Sequence, residues 1–408
     1  MIKALLIVLV AGLVSGPAVA GTAQGTGPVR VLIPTGRSLD VASLPVQPTD
    51  VGAFVRGPKL NEGRYGQSAT LLDDGRVLIA EGGTFNGQEL HTGEIYDPAR
   101  SQLTETRPSF FNRTYIRDAA ARLPDGRVLI VGGCGSPAQN ASWFLTSSFC
   151  NGLRGAEVFD PTTDAFSLVS PMHDKRVWHT TTPLQDGRIL VAGGSTADGS
   201  DLRYVTAAEV FDPNFEQFIP VGSLAIGRTS ATATLLDDGK VLIAGGQGEN
   251  GNLNEAELFD PATGQFQTTG SMLSLRNAHT ATLLTDGRVL MVGGDGATLG
   301  AELYDPTSRT FTAAPSQPVI PVRYYHSAVR LLDGRVLILG GVVNAVYEPV
   351  AEIYDPTTGI FQVAGNLLTA VQFETATVLQ DGRVLKAGGE FIDTQFELPR
   401  QTELYVPD

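Results

Sequence analysis

Three of the five histidines in this chain of 408 residues, His179, His279 and His326, stand in closely similar surroundings: "RVWHTT", "RNAHTA" and "RYYHSA". Aligning related stretches on them brings Gln67, Asp118, Ala231 and Glu374 to the same place. His279, His326 and Glu374, with His179 and Asp118 opposite, make a set that could hold copper or another divalent metal, because imidazole and carboxylate are common ligands of such ions. The same His and Glu side chains could instead move protons as acid and base. Three residues before each of these places stand Arg64, Tyr115, Arg176, Arg228, Arg276, Arg323 and Val371. Guanidinium forks in that position suit a carboxylate or sulfate on a sugar or a peptide.

The elements that must position these residues follow from repetition. "LLTDGRVLMVGG" at 283–294 has counterparts at 71–83, 122–133, 183–194, 235–246, 330–341 and 378–389. Each unit opens with a stretch like "RNAHTATLL", continues through "DGRVLMVGG" and "AELYDP", and closes with one like "GQFQTTGSM". The apolar runs are short and bounded by Gly, Asp or Pro, which predicts strands. Asp-Gly predicts a tight primed hairpin turn, and "DPTTG" and "DPATG" predict a second turn that Gly reverses. The second run is apolar at successive residues, so its strand is buried on both faces. Seven four-stranded antiparallel sheets, each needing cover on both sides, are satisfied by a radial arrangement, an all-β propeller.

The ends of the chain predict how the ring shuts. The last unit stops at "TELYVPD" with three strands, whereas "GAFVRGPKLNEGR" at 52–64 reads like a fourth strand without its first three. The N-terminal strand is expected to complete the last blade. Residues shared by every unit are read as scaffold: the seven glutamates Glu94, Glu157, Glu209, Glu257, Glu302, Glu352 and Glu403, and the basic residues Arg76, Arg127, Arg188, Lys240, Arg288, Arg335 and Arg383. Two irregularities, Lys386 within its second strand and Glu81 as an extra residue before the glycines, are expected to pair across the seam.

Composition bounds the rest. Residues 1–20, with Lys3, an apolar run and "AVA", read as a secretory signal peptide cleaved after Ala20. Residues 21–51 form a lead segment and 52–408 the propeller. The apolar run is too short to insert stably in a membrane. The protein is expected in a periplasm or outside the cell, as a monomer. A net charge of −14 excludes nucleic acid as a partner, since phosphate binding needs a basic face. Cys134 and Cys150, the two cysteines, lie in one polar segment and are expected to form a disulfide in an oxidising compartment, contributing about 3 kcal/mol by loop closure.

"DGRVLIxGG" followed by "AExYDP" resembles the kelch repeat, over the chain from about residue 52 to its end. Phe166, Phe218, Phe266, Phe311 and Phe361 stand where kelch units usually carry Trp. The resemblance implies a seven-bladed kelch propeller whose first strands line a central channel. The two-to-three loops and the links between blades then share one face, and both sets of aligned residues should border the channel mouth there. Variable loops on a rigid frame are where binding resides.

Locally, "VRYYHSAVRLLDGRV" is similar to the stretch of galactose oxidase and related copper radical oxidases that holds a ligating Tyr-His pair. Tyr325 and His326 fall on those positions and join Glu374 as catalytic candidates. Gly66 falls where those enzymes carry a cysteine-crosslinked tyrosine, with Tyr65 one place off. The expected function is a binding or interaction module for a glycan or polypeptide. The alternative is a carbohydrate-active enzyme, either epimerase- or mutarotase-like or a copper oxidase lacking parts of its site.

Overall fold

The computed structural model describes residues 30–32, 38–40, 51–84, 89–116, 119–137, 152–198, 201–391 and 398–408. The expected signal peptide, Asp118, and Cys150 with its expected bridge to Cys134 lie outside the described residues. Residues 1–50 and 51–408 are two separate units. In the first, Arg30–Leu32 pairs antiparallel with Ser38–Asp40.

The second unit is a seven-bladed propeller built from seven four-stranded antiparallel sheets. Blade one consists of Ser68–Leu71, Val77–Ala80, Glu94–Asp97 and Gln102–Glu105, and later blades repeat the order. The first strands neighbour one another in a closed ring around the axis. Every second strand is buried along its whole length, as a strand covered on both faces must be. Between blades, apolar clusters such as Leu242, Leu258, Met272, Val289, Met291 and Tyr304 fill the gaps. Each fourth-strand phenylalanine packs on the aromatic before Asp-Pro, for example Phe311 on Tyr304 at 4.8 Å and Phe218 on Phe211 at 5.0 Å. Phenylalanine therefore supplies there the ring that Trp supplies elsewhere.

Blade seven is completed from the N-terminal side: Ala53–Lys59 pairs antiparallel with Gln401–Val406. Leu60 N–H and the Arg400 carbonyl extend the ladder at 2.8 Å, and Gly52 N–H reaches Asp408 Oδ2 at 2.9 Å.

The turns differ from the sequence expectation. Leu72 N–H bonds the Arg76 carbonyl at 2.8 Å and Gly75 N–H bonds the Leu72 carbonyl at 3.1 Å. Only Gly75 has positive φ, 87°, so the hairpin is a three-residue loop with a glycine bulge and not a two-residue primed turn. The reason is the aspartate: Asp74 accepts Arg76 N–H at 3.0 Å and pairs with its Nε at 2.7 Å, which fixes a right-handed turn. Asp–Arg or Asp–Lys pairs of the same kind recur in all seven blades. In the Asp-Pro turns, glycine reverses the chain only at Gly264 and Gly359; Ser101, Asp164, Glu216 and Arg309 take the same left-handed conformation.

The seven repeated glutamates have a different cation from the repeated arginines of the second strands. Arg64, Arg176, Arg228, Arg276 and Arg323 bind Glu94, Glu209, Glu257, Glu302 and Glu352 at 2.5–2.9 Å. Blade two uses Arg113 for Glu157 at 2.5 Å. Blade seven has Val371 at the arginine position, and Lys386 reaches Glu403 from the second strand at 3.2 Å. The expected Lys386–Glu81 pair is therefore absent, because each charge has a nearer partner: Glu81 lies 2.9 Å from Arg113 Nε. Nor is Glu81 an extra residue. It takes the place of the first glycine, with φ 56° against 60° at Gly245 and 65° at Gly293. Burial pushes its carboxyl well above the usual carboxylate range, against the opposing pull of Arg113.

Candidate functional site

The five aligned arginines do not border the channel. Each is almost wholly buried and turned into its own blade, where it holds the glutamate and backbone carbonyls; Arg176 Nη1, for instance, bonds the Gly193 carbonyl at 3.0 Å and the Ala207 carbonyl at 2.8 Å. A guanidinium with every donor directed inward cannot fork onto a ligand, so the expected recognition of carboxylate or sulfate by Arg64, Arg176, Arg228, Arg276 and Arg323 is corrected to a scaffold role.

The second aligned set also faces blade interfaces. His279 Nε2 lies 3.1 Å from Thr232 Oγ1, and His326 Nε2 lies 2.9 Å from Thr280 Oγ1, in each case on the preceding blade. Gln67 Nε2 donates to the Ala387 carbonyl at 2.8 Å across the closing seam. The first glycine of each preceding pair makes room: a Cβ on Gly132, Gly293 or Gly340 would collide with His179, His326 or Glu374. Position and glycine are thus two halves of one inter-blade joint. In blade two, Ile116 packs against Gly133 as His179 packs against Gly194, so Ile116 takes the place expected for Asp118. Among the described residues no three His, Cys, Asp or Glu side chains are grouped to hold a metal ion. The expected set of His279, His326 and Glu374 fails because consecutive blades direct these side chains at separate joints.

Burial and the nearby Arg176 and Arg276 charges hold His179 and His279 down at pKa about 3. The unfolded chain protonates the same imidazoles near 6.5, so between pH 6.5 and 3 it binds more protons than the fold, and stability falls as pH falls through that window. Each histidine adds a slope of about 1.4 kcal/mol per pH unit. Urea melts of His279→Gln should lose less stability than the parent between pH 7 and pH 4.5; equal losses would place the imidazole in solvent.

What borders the channel is the residue one place earlier. Gly66, Tyr115, Trp178, Ser230, Ala278, Tyr325 and Phe373 share φ of 51–62°. Their backbones bond blade to blade around the mouth: Phe373 N–H to the Tyr325 carbonyl at 3.2 Å, Tyr325 to Ala278 at 3.1 Å, and Ser230 to Trp178 at 3.0 Å. The left-handed turn aims these side chains at the axis. Phe373 sits amid four rings, with centroids at 4.2 Å to Tyr325, 5.8 Å to Trp178, 6.0 Å to Tyr115 and 6.5 Å to Tyr65. Blades four and five contribute only Ser230 and Ala278, which leaves one side of the mouth low. A cavity of about 280 Å³ begins there, bounded by Trp178, Tyr325 and Phe373 and, deeper, by Thr181, Ala281 and Ala328. Burial raises the Tyr325 phenol to about 12.

Tyr325 and His326 were expected together at a copper centre. The tyrosine ring packs on Phe373 in the mouth, whereas the His326 imidazole engages Thr280 in the joint behind it. The donors present therefore do not fit a copper site, and no step through a metal follows.

Sequence reasoning put Tyr115 in the arginine set and missed Trp178, Phe373 and Tyr65 as mouth residues. A signal was available. Across the seven units this position holds either a ring, at Tyr115, Trp178, Tyr325 and Phe373, or a small residue, at Gly66, Ser230 and Ala278.

The kelch motif is matched over residues 228–273, which span the link into blade four through that blade. None of the curated proteins matches the sequence. Among solved structures, the chain is similar to a "novel fungal alcohol oxidase with catalytic diversity among the AA5 family, in complex with copper", at 16% identity and a TM-score of 0.66, covering 88% of this chain and 76% of that one. At that identity the likeness is one of fold.

Proposed function

We propose that this chain, a seven-bladed kelch β-propeller, is an exported binding module that holds a glycan or a polypeptide at its loop face. The observation that carries the reading is the aromatic mouth. Four rings, Tyr115, Trp178, Tyr325 and Phe373, stand at one left-handed position of the repeat and gather with Tyr65 beside a cavity. Aromatic side chains supply large contact area at low entropic cost.

A polypeptide is favoured over a glycan by the surroundings. The links into blades five, six and seven expose Leu273, Leu275, Val319, Val322 and Leu368, each 36–52% accessible. Exposed apolar side chains on three consecutive links suit a protein surface better than a polyol.

The test is retention of peptide and glycan arrays by the full chain and by Trp178→Ser. Blade four carries Ser230 at the same left-handed position, so the substitution has a precedent in the fold. Retention should fall at least tenfold with the melting temperature unchanged. Undiminished retention, or retention of glycans alone, would refute the mouth or the polypeptide respectively.

A further inference from the structure

We infer that the group received by the aromatic mouth is an organic cation, an alkylammonium such as a lysine side chain presents. The inference rests on the mouth being the ligand site. Trp178, Tyr325 and Phe373 line it, and the electron-rich face of such a ring attracts a cation, most strongly a desolvated one. Among the described residues no Lys, Arg, Asp or Glu lines the cavity, so none of their charges competes for the rings.

Two carboxylates wait at the rim. Glu390 is half-buried beside the mouth and takes the Gln372 amide at 3.2 Å; Asp295 takes the Asn252 amide at 3.3 Å. Neither forms an ion pair with any described residue, in a molecule where all seven blade glutamates are matched to a buried cation. Their fields reach the rings: both act on Tyr325, and Glu390 also acts on Tyr65 and Tyr115. Rings below and carboxylates at the edge attract the same charge. An anionic ligand would meet both carboxylates with the buried arginines Arg64, Arg113, Arg276 and Arg323 turned into their blades. The cation has two sources, a lysine on a polypeptide or a free quaternary amine, and the probes must separate them.

The experiment follows tryptophan fluorescence of the full chain as four probes are added: choline, its neutral isostere 3,3-dimethylbutan-1-ol, a lysine-containing peptide, and the same peptide with norleucine. Choline and the lysine peptide should quench saturably and bind at least tenfold more tightly than their neutral counterparts. Glu390→Gln and, separately, Asp295→Asn should each weaken the cations severalfold and leave the neutral probes unchanged, with melting confirming that each variant folds. Quenching by choline without the lysine peptide keeps the cation and removes the polypeptide. Equal binding of lysine and norleucine peptides keeps the polypeptide and overturns the cation. Absence of saturable quenching by either cation overturns the inference outright.

Discussion

A chain beginning at Arg64 melts without a cooperative transition. It lacks Ala53–Lys59, so Gln401–Val406 becomes an open edge and blade seven is left with three strands. It also lacks Val51 and Leu60, both buried, and the Phe54 ring that covers Tyr405 at 5.2 Å. Burying each such side chain stabilises by about 1.5–3 kcal/mol, and each ladder hydrogen bond adds about 0.5–1.5 kcal/mol. Together these rival the 5–15 kcal/mol that holds a typical domain together. The loss also acts through topology, because this strand is what joins the two ends of the ring. Calorimetry on chains beginning at Gly21 and at Arg64 makes the comparison; a sharp transition at the same temperature in the shorter one would show that closure does not depend on the strand.

Replacing Arg276 by Val should cost about 3–5 kcal/mol, since it leaves Glu302 charged and buried with no counter-ion. Arg276 holds Glu302 at 2.7 Å and the Gly293 carbonyl at 2.5 Å, and both residues are fully buried. Blade seven indicates the remedy. There Val371 stands at the arginine position and Lys386 supplies the cation from the second strand. Met291 faces Glu302 in the same register as Lys386 faces Glu403. Arg276→Val combined with Met291→Lys should therefore recover most of the loss, although each change alone destabilises. Urea midpoints of the four proteins measure the coupling, and additive losses would mean that the two arrangements are not equivalent.

The propeller was legible because its causes are local and repeated seven times: turn residues, doubly buried second strands and the orphan strand at 52–64. The site was legible only as a region. Aligning on histidine found the right register for six blades but one residue too deep, since a single left-handed residue sends Tyr325 to the axis and His326 into a joint. Nothing in strand alternation announces that twist. The arginines misled for a related reason: a basic residue near a channel looks the same in sequence whether its partner is a ligand or a glutamate roughly thirty positions later. Glu390 and Asp295 follow the glycine pair in only two units and carry no pattern of their own.

Seven nearly interchangeable sheets pose an assembly ambiguity, since chains built of like modules are prone to docking in the wrong order. Glu81 resolves part of it. It stands where the other six units keep glycine, and its carboxyl meets Arg113, an arginine that blade two places by its own spacing. A neighbour with an imidazole, a glutamate or an amide at that joint would collide with it. Blade one therefore rejects five of the seven modules as successors, and this joint gives the ring an address from which the order of the remaining modules is counted.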